Sequence, residues 1–196
     1  MKEGKTFVTD LPDGYTEAAT VDAKDKKTII IMNAAALAVM VLTAGIAWAV
    51  IRPSEPLYEY IGFARYMLFL AAILLYIVLH ELVHGAAYRL LTGRKLTFGL
   101  TLSVAYCGVP DIYVYRKTAL ISLLAPFTVF IPVFLLPAVL LPGEWDRFFA
   151  SVLLAIHLSG CVGDLYDTLL YVFKFRNPLT LMRDTGPKQT FYIPQR

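Results

Sequence analysis

Two histidines and a glutamate in the stretch Leu79-His80-Glu81-Leu82-Val83-His84 have the types and spacing for metal chemistry. On a helix, residues four apart share a face, so His80 and His84 can offer their imidazoles to one ion. Glu81 stands beside them and can hold a water on that ion. Two neutral imidazoles, an adjacent carboxylate and an open coordination position make a catalytic zinc site once a third protein ligand arrives from elsewhere. The plainer alternative is a pair of buried histidines and a carboxylate satisfied by polar neighbours. The surroundings argue against it. The motif lies inside an apolar segment running from about Ile61 to Leu91, and ionisable groups in a membrane span are costly and mark function. Two of the three histidines of the chain are here.

The third ligand has candidates in His157-Leu158-Ser159-Gly160-Cys161-Val162-Gly163-Asp164-Leu165-Tyr166-Asp167. The small residues Ser159, Gly160 and Gly163 let another helix approach closely, and Asp164 follows directly. A carboxylate is an accepted partner for two histidines on zinc. His157, seven residues earlier on nearly the same face, is its main rival. Asp167, three residues on, reads as solvated near the membrane surface or as support for a ligand. Periodicity alone does not separate the three.

Helices must carry these groups, and the composition says in what solvent. The chain of 196 residues is 58% hydrophobic, with a mean hydropathy of +0.61. Soluble domains hold about 45–50% apolar residues, so the excess points to a membrane protein. The net charge of +3 is small, and no basic stripe with interleaved aromatics suggests a nucleic-acid partner. Cys107 and Cys161 form no disulfide framework and have no metal-site spacing. Lys2, Lys5, Asp10 and Asp13 precede any apolar run, so the first span is expected to remain in the mature protein.

The expected fold is an all-α membrane protein of about four transmembrane helices, with a membrane-associated β-hairpin between the second and third. The spans run from about Thr28 to Val50, Gly62 to Leu91, Thr118 to Leu141 and Asp146 to Phe173; each reaches the roughly 20 residues a crossing needs. Arg52-Pro53-Ser54-Glu55-Pro56 ends the first. Thr92-Gly93-Arg94-Lys95 ends the second. Pro126, Pro132 and Pro137 are expected to kink or break the third. Between Leu96 and Val114, strand-forming residues flank a turn at Gly108-Val109-Pro110-Asp111, which predicts two strands around it. Such strands must pack on protein or line a wet cavity. Residues 1–28 are expected to form an N-terminal arm with room for one strand and no core of its own, 29–173 the four-span domain, and 174–196 an extended tail. Lys and Arg concentrate in the arm, after the second span and in the tail, which places both termini in the cytoplasm. His80 and Asp164 then lie about 11 and about 9 residues before the cytoplasmic ends of their spans, at similar depth.

With these residues in view, the chain resembles the bacterial family of integral-membrane zincin peptidases long catalogued as a domain of unknown function. The matching stretches are Leu11-Pro12-Asp13-Gly14-Tyr15, His80-Glu81-Leu82-Val83-His84-Gly85, Ala125-Pro126-Phe127 and Ser159-Gly160-Cys161-Val162-Gly163-Asp164. The arrangement is also distantly similar to the core of site-2 intramembrane metalloproteases, which carry H-E-x-x-H on one span, a membrane-associated hairpin and an Asp ligand on a later span. Their Asp commonly sits in an L-D-G context; here it is Gly163-Asp164-Leu165. The resemblance implies His80, His84 and Asp164 as zinc ligands and Glu81 as general base. It further implies a multi-pass protein of the bacterial cytoplasmic membrane that acts on a peptide or membrane-protein substrate.

The function expected from residues and resemblance together is a membrane-embedded zinc metalloprotease with a Glu base. The alternative is a non-proteolytic metal-binding membrane protein with a structural or regulatory role; Glu81 argues against it, because a purely structural site needs no base. An ion transporter would be supported by inverted repeats, and none is evident.

Overall fold

The computed structural model describes residues 5–100 and 105–195. In chain order the elements are β1 (Phe7–Val8), β2 (Tyr15–Asp22), α1 (Lys26–Ile51), α2 (Leu57–Tyr60), α3 (Phe63–Thr92), β3 (Thr97–Leu100), β4 (Ala105–Gly108), β5 (Tyr113–Tyr115), α4 (Arg116–Leu140), α5 (Glu144–Gly160) and α6 (Val162–Leu169), followed by a π-helical turn (Leu170–Lys174), β6 (Leu181–Asp184) and β7 (Lys188–Pro194). Three helices, α1, α3 and α4, are long and apolar enough to cross a membrane. A fourth crossing results if α5 and the helical segment after Cys161 count as one broken span.

Local signals explain the long helices' ends. Asp25 caps α1, accepting hydrogen bonds from the Thr28 backbone N–H at 2.9 Å and its hydroxyl at 3.0 Å. Pro53 follows the end of α1. At the end of α3, the Gly93 N–H bonds the Arg89 carbonyl at 2.9 Å with φ +66°, a left-handed stop that suits glycine. The three prolines of α4 do not break it: Arg116–Leu140 is one helix.

The chain folds as two compact units. The first comprises Met1–Ile30, His80–Ala125 and Gly163–Arg196. It holds a five-stranded antiparallel sheet in the order β1-β5-β6-β7-β2. Its longest pairing joins the arm to the tail, from Tyr15 opposite Pro194 to Asp22 opposite Lys188. The fold is therefore mostly helical but not all-α. The extended arm and tail satisfy each other's backbone N–H and C=O groups, which an isolated arm or tail would leave to water. The core of this unit includes Tyr88, Val114, Leu123, Tyr171, Met182 and Phe191. Phe191 is flanked by the rings of Tyr171 and Phe175, with centroids at 5.1 and 5.0 Å.

The hairpin also differs from expectation. β3 pairs with β4, Thr97 opposite Gly108 and Leu100 opposite Ala105, and its connection lies outside the described residues. β5, expected to be the second strand of that hairpin, instead joins the large sheet between β1 and β6. Val109 at the intended turn donates its N–H to the Asp184 carbonyl at 2.9 Å, so Gly108 to Asp111 is a crossing between two sheets rather than a hairpin turn.

The second unit comprises Ile31–Leu79 and Pro126–Val162. At one end Trp145 lies against Tyr60, Phe148 and Phe149, and its indole N–H donates to the Glu55 carbonyl at 2.9 Å. Glu144 accepts from the Ser54 N–H at 2.7 Å and its hydroxyl at 2.9 Å. These bonds tie the proline-rich link after α1 to the start of α5. No described residue of α1 is buried, so its apolar surface is left uncovered by the described residues.

Candidate metal centre

His80 and His84 follow each other on the second half of α3, one turn apart, with ring centroids 5.0 Å apart. Both are buried. Asp164, in the first turn of α6, reaches both. Its Oδ2 lies 3.5 Å from His80 Nε2 and 3.3 Å from His84 Nε2. One ligand atom from each residue lies within 4.8 Å of the other two.

These separations can be tested against zinc. With bonds of about 2.0–2.1 Å to nitrogen and oxygen, two ligand atoms of a tetrahedral ion stand roughly 3.3 Å apart. The two spacings to Asp164 fall on that value. The tautomer fits as well. His84 Nδ1 lies 2.8 Å from the Ser122 carbonyl oxygen, which can only accept, so Nδ1 carries a proton and Nε2, which faces Asp164, is the nitrogen that could ligate an ion. The donor set of two imidazoles and a carboxylate suits zinc and leaves one position open. Glu81 lies within Coulombic range of His80, His84 and Asp164.

The remaining candidates take different places. Asp167, read from sequence as solvated or supporting, is not solvated: it is 3% exposed, and its Oδ1 makes no hydrogen bond among the described residues. His157 is fully buried in the second unit. Its Nδ1 lies 3.0 Å from the Tyr76 hydroxyl and 3.6 Å from Cys161 Sγ, within a set of aromatic rings that includes Phe127, Phe130 and Phe134. Of the small residues, Gly160 is closely approached, since a Cβ there would lie 3.3 Å from the Tyr76 hydroxyl of α3, but Gly163 is not. A Cβ built on Gly163 meets no atom within 4 Å. A tighter approach is at Gly85, the residue after His84, where a Cβ would lie 2.8 Å from Phe98 Cζ and 3.1 Å from Leu96 Cδ1. Gly85 lets β3 lie directly against the motif helix.

Sequence reasoning missed the groups that brace this helix. Tyr88, one turn beyond His84, donates its buried hydroxyl to Asp184 Oδ2 at 2.7 Å. Asp184 Oδ1 accepts from the Gly186 N–H at 2.9 Å and the Gln189 amide at 3.2 Å. The β6–β7 turn is thereby latched to α3. Burial pushes the Asp184 carboxyl up to about 6, even though all three hydrogen bonds favour its charged form. Burial, and then the neighbouring Asp184 charge, push the Cys107 thiol up to about 12, so this cysteine is an inert core thiol rather than a ligand. Tyr88 had a sequence signal, being a polar ring in an apolar span at helical spacing from His84. Asp184 had none.

The described residues thus give a mostly helical protein with helices long and apolar enough to cross a membrane and with two histidines and an aspartate placed so that they could hold a metal ion. Residues 73–178, just over half of the chain, match the model of a family described as "putative zincin peptidase", and the chain belongs to that family. The match runs from the helix that carries the motif to beyond α6. No curated protein and no solved structure matches.

Proposed function

We propose that this protein is a membrane-embedded zinc metalloprotease that hydrolyses peptide bonds. The observation that carries the reading is the spacing of Asp164 Oδ2 at 3.5 and 3.3 Å from the two Nε2 atoms, together with the family match over residues 73–178. His80, His84 and Asp164 would hold the ion. When bound, zinc supplies Lewis acidity and brings the pKa of water down toward about 7. The Ser122 carbonyl holds His84 in the ligating tautomer. Glu81 takes the proton from the attacking water and gives it to the leaving amine, the two halves of general base and general acid catalysis.

The substrate reading follows from β3. One side of β3 pairs with β4, and its other edge carries no strand among the described residues. Phe98 and Leu100 on it are exposed, at 47% and 77%. An extended peptide can add along that edge through main-chain hydrogen bonds, beside the helix that carries His84. A helical substrate must first unwind to present its peptide bond. The orientation proposed is the one the Lys and Arg distribution favours, with four crossings and both termini in the cytoplasm.

The test is a comparison of membrane proteomes from cells making wild-type protein and Glu81→Gln. The amide cannot take a proton from water, so the variant should keep its metal and accumulate uncleaved substrate. Identical cleavage products in both would remove Glu81 from the chemistry and favour a metal-binding protein without protease activity.

A further inference from the structure

The second unit contains a cavity of about 380 Å³. It lies between the first turns of α3, the last turns of α4 and the first half of α5. Nine of its twelve lining residues are apolar, and the three polar ones are Tyr60, Arg65 and Asp146. Their positions give the cavity a direction. Arg65 and Asp146 are in the first turns of α3 and α5, whereas Ala72 and Leu153 are seven residues deeper on the same helices, about 10 Å along the axis. The cavity thus has a polar mouth and an apolar shaft. That gradient matches an amphiphile entering head-last from the membrane face where α3 begins.

The mouth selects the head group. Arg65 donates Nη1 to the Tyr60 carbonyl at 2.6 Å and lies over the Tyr60 ring, 4.2 Å from its centroid. This fixes the guanidinium while leaving further N–H groups for a phosphate. Asp146 accepts a hydrogen bond from the Tyr60 hydroxyl through Oδ1, which leaves Oδ2 for a cationic donor. One fixed cation and one fixed anion bridged by a tyrosine complement a head that carries both charges. A head bearing phosphate alone would meet the Asp146 charge unpaired. A quaternary ammonium has no N–H to give Asp146.

We propose that this cavity binds a phospholipid with a phosphate and a primary ammonium, a phosphatidylethanolamine, with one acyl chain in the shaft. The phosphate sits on Arg65 and the ammonium on Asp146. The inference rests on the membrane-embedded reading but not on the protease reading. It adds a lipid site on the part of the helices away from His80 and His84.

The experiment uses the full chain purified in detergent, with dioleoyl phosphatidylethanolamine, phosphatidylcholine or phosphatidylglycerol added, and counts bound lipid by native mass spectrometry. Phosphatidylethanolamine should be retained at least five-fold more than either other lipid. Arg65→Gln should reduce its retention several-fold. Asp146→Asn should leave some binding but erase the preference for ethanolamine over choline. Ala72→Phe, which fills the shaft, should reduce all lipid retention. If that variant does not elute as a folded species, the two substitutions at the exposed mouth carry the test. Equal retention of the three lipids, or a preference unchanged by Arg65→Gln and Asp146→Asn, overturns the proposal. Preferred retention of phosphatidylglycerol overturns it in favour of a phosphate-only site. Carbonate washing of membranes separates the two levels. A chain that stays in washed membranes but shows no ethanolamine preference defeats only the lipid site, and a chain that washes out defeats both.

Discussion

Replacing Asp184 by asparagine should flatten the pH dependence of stability between about pH 4 and 6. The Asp184 carboxyl is 4% exposed and burial raises it from 3.8 to about 6. In that interval the folded chain binds a proton that the unfolded chain has released, so stability falls as pH rises. The contribution is fully present below about pH 4 and lost once pH passes about 6. The gap between 3.8 and about 6 corresponds to roughly 3 kcal/mol. Asparagine does not titrate, and it can keep the local bonds. Its oxygen can accept from the Gly186 N–H and the Gln189 amide, while its NH2 donates to the Tyr88 oxygen, whose proton can turn away. Thermal melts of both proteins in detergent from pH 4.5 to 7.5 supply the assay. About 2 kcal/mol of that contribution lies between pH 4.5 and 7.5, so the melting temperature of the variant relative to wild type should climb across that range by up to about 4–8 °C for a chain of this size. Parallel curves would show that Asp184 is already ionised throughout and would refute the argument from burial.

Three further outcomes follow from named contacts. Tyr88→Phe leaves Asp184 Oδ2 without its donor and should cost roughly 1.5–3 kcal/mol, read as a lower melting temperature, with zinc content unchanged because Tyr88 is not in the donor set. Gly85→Val pushes into Phe98 and Leu96; displacement of β3 should slow cleavage while the metal stays bound, and full activity would separate β3 from substrate handling. Reporter fusions after Leu141 should appear outside the cytoplasm and fusions at Lys95 inside, and a cytoplasmic signal after Leu141 would exclude the four-crossing orientation.

The sequence was most legible where the signal is local. The apolar runs that became α1, α3 and α4 lie within about two residues of the helices' ends, because a helix satisfies its backbone groups within the segment itself and local stop signals such as Pro53 and Gly93 mark where it ends. The His80–His84 pair was equally legible, since one helical turn sets its geometry. The five-stranded sheet was not. Tyr15 and Pro194 are at opposite ends of the chain, and neither strand's composition names its partner. The same limit hid β5, whose alternating residues suit a hairpin with β4 as well as the place it takes between β1 and β6. Asp184 was hidden for another reason. A charged residue in a polar tail looks solvated until the tail is folded over it.

The central claim is that His80, His84 and Asp164 hold one ion. Zinc content per chain, measured by plasma mass spectrometry on purified wild-type and variant proteins of verified fold, tests it most directly. About one zinc should be found in wild type, in Glu81→Gln and in His157→Ala, and it should be largely lost in His80→Ala, His84→Ala and Asp164→Ala. Zinc retained by Asp164→Ala but lost from His157→Ala would contradict the assignment and move the third ligand to α5.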